Sequence, residues 1–111
     1  GKKIATLSQY FVRSKSEAII TNLLVDRNIP FKYEEPLYAP DGTMYLPDFT
    51  VKFRGEEYYW EHVGRINDTN YMVHWAKKEA WYKKHFPGKL LVTYESNELT
   101  TDAAAIIAQN M

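Results

Sequence analysis

The spacing of apolar residues predicts a helix near the start of the chain. Apolar residues recur there at intervals of three and four, which is typical of the buried face of a helix. The helix is expected to begin at Ser14 or Ser16, both good N-cap residues, and to end near Asn28, because Pro30 cannot continue it. Its apolar face consists of Ile19, Ile20, Leu23 and Leu24.

Three strands are predicted to follow, at residues 31–37, 45–53 and 56–63, because apolar and polar residues alternate there. The last two are separated only by Arg54-Gly55, which favours an antiparallel hairpin. Side chains alternate between the two faces of a strand. Asp48 is therefore expected opposite the apolar face of its strand, and Glu61 is expected to share a face with Tyr59.

The remaining pattern predicts a helix, a strand and a final helix. The second helix starts at Asp68 or Thr69 and runs to about residue 85, before a Pro-Gly pair. Residues 89–94 form an apolar strand, which we expect to be central and buried. The last helix covers roughly residues 101–110, and its candidate caps are Thr100, Thr101 and Asp102.

This order, αβββαβ with an extra C-terminal helix, predicts an α/β fold in which a small mixed central sheet is flanked by helices on both faces. The 111 residues, 45% of them hydrophobic, suffice for one core, so residues 1–111 are taken as a single domain. The pattern would also suit a domain cut from a longer polypeptide. The first dozen residues could form a short helix or a docking arm.

Composition narrows the chemistry. The absence of cysteine excludes disulfides and thiolate metal sites. No apolar run is long enough to span a membrane, so we expect no membrane partner and a cytoplasmic location. Fourteen basic and fourteen acidic residues cancel, which argues mildly against a polyanion partner. If several carboxylates bind divalent cations, their negative charge is neutralised, and this objection becomes weaker.

Three segments carry candidate chemistry: Ser14-Lys15-Ser16-Glu17, Leu46-Pro47-Asp48-Phe49 and Tyr59-Trp60-Glu61-His62-Val63-Gly64. Hydrolysis of a phosphodiester requires an activated water and neutralisation of the charge that develops on phosphorus. A Mg²⁺ or Mn²⁺ ion held by carboxylate oxygens supplies both. Asp48 and Glu61 meet this requirement if the hairpin brings them side by side.

The element order, with Pro-Asp on the second strand and an acid on the third, resembles the PD-(D/E)XK nucleases over residues 13–96. This resemblance implies a restriction-endonuclease-like core and a metal site of Asp48, Glu61, the main-chain carbonyl of His62 and Glu17, with Asp48 and Glu61 catalytic. It implies a nuclease, with a helicase or another domain as a possible fused partner. DNA is favoured over RNA, and the products would carry a 5′-phosphate and a 3′-hydroxyl.

One position departs from the family pattern. The usual lysine stands two residues after the strand-three acid, where this chain has Val63. Lys78 can replace it, because it belongs to an inward helical stripe of Tyr71, Trp75, Lys78 and Tyr82. The cap-snatching endonucleases of viral polymerases look similar in taking a lysine from this helix. Lys77 is the competitor, but it points about 100° away and is expected in solvent.

Arg13, Lys15 and Arg65 flank the candidate site and are the expected phosphate contacts. The His62 side chain must point away from Glu61, so it is interpreted as a packing residue, and a bond to substrate phosphate is the alternative.

Each assignment has a plainer alternative. Glu17 could simply favour the helix N-terminus, and Lys78 could extend past the aromatic stripe into water. The domain could be an inactive nuclease-like module that binds nucleic acid or protein, or an unrelated α/β interaction module.

Overall fold

The computed structural model describes residues 4–5, 11–12 and 14–111, and side chains from residue 14 onwards. The helices are α1 (Lys15–Asp26), α2 (Thr69–His85) and α3 (Leu99–Asn110). The strands are β1 (Ile4–Ala5), β2 (Phe11–Val12), β3 (Phe31–Tyr33), β4 (Leu37–Tyr38), β5 (Met44–Tyr45), β6 (Phe49–Phe53), β7 (Glu56–Val63) and β8 (Leu90–Tyr94). No helix within these residues is both long and apolar enough to cross a membrane.

A four-stranded mixed sheet, ordered β3-β6-β7-β8, organises the fold. β6 is antiparallel to β3 and β7, whereas β8 runs parallel to β7. The prediction that residues 89–94 form a central strand is wrong, because β8 lies at the sheet edge in the described part of the chain. Its apolar run arises because α3 covers one face, whereas Tyr82 of α2 and Phe86, which follows this helix, lie beside the other.

Helices cover both faces of the sheet, which confirms the predicted α/β class. α1 and α3 pack against one face and form the main apolar core. That core is built around Ile20, Leu24, Phe49, Val51, Phe53, Trp60, Ala103 and Ile107, all at most 1% exposed. α2 packs on the other face, where the rings of Tyr59 and Tyr82 stack with centroids 6.2 Å apart. The apolar core therefore supports the sheet from one face, and the candidate site lies on the other face.

Two predicted strands are each split in two by the same irregularity. β3 with β6 and β4 with β5 keep one continuous register, from Phe31 opposite Val51 to Leu37 opposite Tyr45. Between them lie Pro36 and Pro47, and neither can donate a ladder hydrogen bond because proline has no N–H. Glu34, at φ 52°, also leaves the extended conformation there. The ladder therefore breaks, and Asp48 lies at this break immediately before β6.

The predicted hairpin between β6 and β7 is confirmed. Phe53 pairs with Glu56, and the two residues between them have positive φ, 52° for Arg54 and 81° for Gly55. Two positive values are characteristic of a type I′ turn, whose twist matches that of the flanking strands. This two-residue turn sets the register that brings Asp48 and Glu61 together.

A side-chain hydrogen bond caps the N-terminus of two of the three helices. Ser14 caps α1 by accepting from the Glu17 N–H at 3.1 Å, and Asp68 caps α2 by accepting from the Tyr71 N–H at 3.0 Å. The predicted start of α3 is wrong by two residues. It begins at Leu99 with Glu98 as N-cap and no side-chain cap bond, because burial of Leu99 against the core extends the helix.

We expect Arg54→Asn to raise the free energy of unfolding by about 0.5–1 kcal/mol. Asparagine tolerates the left-handed conformation that a long side chain adopts only with strain, and Asn-Gly is the preferred type I′ pair. Urea unfolding measures the change, and Arg54→Lys, which keeps the strain, is the matched control. A loss of stability in Arg54→Asn would contradict this account of the turn.

Candidate metal centre

Asp48 and Glu61 face each other across β6 and β7. The register pairs Phe49 with Trp60, so the next residues along the two chains in that direction are Asp48 and Glu61. Both are buried, with 6% and 4% of their surface exposed. The His62 main-chain N–H donates to Asp48 Oδ2 at 2.7 Å. The structure therefore brings together the two acids that the sequence singled out.

Lys78 reaches the same point from α2. Its Nζ lies 2.6 Å from Glu61 Oε2, and 21% of its side chain is exposed. The ammonium also lies 5.4 Å from the centroid of the Tyr45 ring, a cation–π distance. The inward direction predicted from the helical period is confirmed, and Lys77 is exposed as expected.

Tyr82 is a second α2 residue on Glu61, and its contact was not predicted. Its hydroxyl donates to Glu61 Oε2 at 2.6 Å, and the side chain is fully buried. Burial and the neighbouring Glu61 charge raise the pKa of Tyr82, so the hydroxyl keeps its proton. The signal was present in the sequence, because a buried tyrosine on an inward stripe normally finds a partner for its hydroxyl.

Glu17 lies in the first turn of α1 and lines the same cleft. It is 6% exposed, and its Oε1 accepts a short hydrogen bond from the Tyr33 hydroxyl. Its charge also acts on Asp48. Helix capping alone would leave a glutamate of the first turn in solvent, whereas Glu17 is turned inward. Tyr33 could not have been identified as its partner, since that contact depends on how α1 docks on the sheet.

The site brings several carboxyl groups together in a buried environment with little access to water. Burial, followed by repulsion from Glu61, raises the pKa of Asp48 to about 8, against the opposing effect of the His62 N–H. Glu17 adds to the repulsion, and Lys78 offsets part of it. Two or three carboxyl groups thus share one ammonium, an imbalance that a divalent cation would correct.

The His62 side chain points away from Glu61, as predicted, but it does more than pack. It lies 2.9 Å from Thr93 Oγ1 through Nδ1 and 2.8 Å from Glu95 Oε2 through Nε2. The Ser16 hydroxyl donates to the same Glu95 oxygen at 2.6 Å. These two bonds, from Ser16 and His62, lower the pKa of Glu95. No sequence signal indicated this chain of contacts, because it requires β8 beside β7.

A cleft of about 810 Å³ opens over these residues. Its floor and walls include Glu17, Tyr45, Asp48, Glu61, His62, Arg65, Tyr71, His74, Trp75, Lys77, Lys78 and Glu95. Arg65 thus lies where the sequence placed it. Lys15 is exposed at the start of α1 and does not line the cleft, and Arg13 lies outside the described residues.

The donor set fits a hard divalent cation. Among the described residues, no group of three or more His, Asp or Glu side chains is arranged to hold an ion by itself. Mg²⁺, however, is usually bound through one or two carboxylates together with water and substrate phosphate. Asp48 and Glu61 are two such carboxylates, and the cleft above them has room for water and a phosphate group.

Comparisons with protein-family models, with curated proteins and with solved structures found no match to this chain.

The raised pKa of Asp48 predicts a characteristic dependence of stability on pH. Without divalent metal, the folded state keeps a proton on Asp48 that the unfolded chain loses near its ordinary pKa of 3.8. Raising the pH from about 4 to about 8 should therefore lower the free energy of unfolding, by at most about 1.4 kcal/mol per pH unit. Asp48→Asn should lack this contribution.

Urea unfolding in EDTA, at a series of pH values, measures the difference between the two proteins. Added Mn²⁺ should stabilise the wild type more at pH 8 than at pH 6, because the metal requires the ionised carboxylate. Parallel pH curves for wild type and Asp48→Asn would count against a shared, buried charge at this site.

Proposed function

We propose that this chain is a divalent-metal-dependent nuclease that hydrolyses phosphodiester bonds of nucleic acid, DNA in preference to RNA. The observation that carries the proposal is the facing pair of buried carboxylates, Asp48 and Glu61, with Lys78 Nζ 2.6 Å from one of them. Buried acids repel each other and lose hydration, so this arrangement lowers the stability of the fold. A positively charged ligand that binds both acids would offset that cost. The cleft above them leaves room for that ligand.

The metal would be Mg²⁺ or Mn²⁺, held by Asp48 and Glu61 with the His62 carbonyl. Glu17, on the cleft wall, completes the acidic set. When bound, the metal makes the attacking water more acidic and neutralises charge on the phosphate. These oxygens have fixed positions. Glu61 and His62 belong to β7, and Asp48, just before β6, is held by the His62 N–H.

Lys78 has a separate task from the metal ligands. Its ammonium borders the cleft and can donate to the attacking water and to a phosphate oxygen, orienting the first and stabilising charge on the second. The water oxygen loses a proton to solvent and forms a bond to phosphorus, the bond from phosphorus to the 3′ oxygen breaks, and that oxygen takes up a proton from solvent. The Tyr82 hydroxyl holds Glu61 in place throughout, since it keeps its proton.

Support for the reaction class comes also from the resemblance to PD-(D/E)XK nucleases in residues 13–96. The Pro-Asp of the second predicted strand and the acid of the third supply Asp48 and Glu61, and Val63 occupies the position of the usual lysine. The contact of Lys78 with Glu61 supports a lysine taken from the following helix. By the same resemblance, the products would carry a 5′-phosphate and a 3′-hydroxyl.

A second candidate keeps this cleft and omits hydrolysis. Lys78 and Tyr82 both bind Glu61 Oε2, so two donors from α2 already satisfy one oxygen without a metal. A nuclease-like domain that only binds nucleic acid or protein could retain such a closed site. Cleavage assays in Mg²⁺ and in Mn²⁺ distinguish the two, because inactivity of the wild type in both favours the binding module.

We expect Asp48→Ala and Glu61→Ala each to abolish cleavage of a labelled oligonucleotide and to weaken Mn²⁺ binding in calorimetry. Each substitution removes a metal ligand, and neither leaves a replacement oxygen at its position. Glu56→Ala, an exposed acid at the far end of β7, is the matched control and should keep both properties. Full cleavage by either site variant would refute the proposed metal centre.

Lys78→Ala should separate catalysis from metal binding. Cleavage should fall by at least about 100-fold, the usual contribution of a positioned catalytic group. Mn²⁺ affinity should be kept or increased, because Glu61 loses the cation that competes for its oxygen. Lys84→Ala, which removes an exposed lysine of the same helix, controls for charge. Unchanged cleavage by Lys78→Ala would remove this residue from the mechanism.

A further inference from the structure

The two walls of the cleft differ in charge. The basic side chains that line it come from α2 and the loop before it: Arg65, His74, Lys77 and Lys78. The facing wall, built by the first turn of α1 and the residue after β8, contributes the carboxylates of Glu17 and Glu95.

Two tyrosine rings lie beside these basic side chains: Tyr71 on α2 and Tyr45 on β5, both partly exposed in the cleft. The Tyr71 hydroxyl accepts from the Gly64 N–H at 3.1 Å, which holds its ring in place. The Tyr45 ring packs edge-to-face on Trp81, with centroids 4.8 Å apart. Rings that are already ordered can stack on a base at little further entropic cost.

The size of the cleft limits what can enter. Its volume of about 810 Å³ lies within the range of pockets that enclose one small organic ligand, which corresponds to roughly one or two nucleotides. The bases of a duplex are already paired and stacked on one another, so an unpaired base can reach a tyrosine ring in the cleft at a lower cost.

From the basic side chains and the two ordered rings that line the cleft, we infer that the substrate binds as a single strand. Its phosphates follow the α2 wall, in contact with Arg65 and Lys77, and a base stacks on Tyr45 or Tyr71. Cationic grooves combined with aromatic platforms are the usual means of holding single strands without sequence preference. The inference rests on the proposed function, which places the scissile phosphate over Asp48 and Glu61.

Binding can be measured without cleavage, using Asp48→Asn in EDTA and fluorescence anisotropy. The probe is a fluorescein-labelled DNA strand of about 12 nucleotides, a length within the usual site size. It is compared with the same strand annealed to its complement. We expect the single strand to bind at least about tenfold more tightly. Equal or tighter binding of the duplex overturns the inference.

Variants of the two rings and of one basic lining residue test how the strand is held. In the same assay Tyr45→Ala and Tyr71→Ala should each weaken single-strand binding about tenfold. Tyr45→Phe should retain binding, and Tyr71→Phe, which keeps the ring but loses its bond to the Gly64 N–H, should weaken it less than Tyr71→Ala does. Lys77→Ala should lower the slope of log affinity against log salt by about 0.7, and Lys84→Ala should not. If neither alanine variant weakens binding while the phenylalanine variants fold, the stacking platform is refuted.

Failure here and failure of the proposed function give different results. A wild-type protein that prefers single strands but cuts nothing in Mg²⁺ or Mn²⁺ would support the inferred binding mode and contradict the nuclease. A protein that cuts duplex DNA faster than the same single strand would support the nuclease and overturn the inference.

Discussion

Two carboxylates, Asp48 and Glu61, are held side by side under the cleft because the turn between β6 and β7 permits one register only. Each is almost fully buried, so neither can disperse its charge into water. Lys78 and Tyr82 both bind Glu61, and the His62 N–H binds Asp48. A half-buried lysine is costly unless it is paired. Lys78 can lie on the inward face of α2 because it contacts the negative charge of Glu61.

The rest of the fold holds that pair in a fixed position. Ser16 and His62 both bind Glu95, so the first turn of α1 is tied to the end of β8 and to the strand that carries Glu61. Glu17 follows Ser16 directly and is thereby kept at the wall of the cleft. The apolar core on the opposite face of the sheet stabilises these polar contacts, since a rigid sheet keeps each partner within bonding distance.

Net charge conceals the most informative property of this molecule. The chain is formally neutral, yet its cleft has an acidic floor, a basic wall on α2 and an acidic wall opposite. A balanced total therefore gives no argument against a polyanionic partner. The field that a ligand meets depends on which charges the fold collects around one cavity.

The sequence by itself determined the features that depend on local geometry. The alternation of strands and the two-residue turn placed Asp48 and Glu61 on one face, and the helical period directed Lys78 inward. It could not determine that β8 runs parallel to β7 at the sheet edge, nor how α1 docks. Those choices brought Glu95 to His62 and Tyr33 to Glu17, because strand order and helix docking are set by contacts between residues far apart in the chain, which no local period encodes.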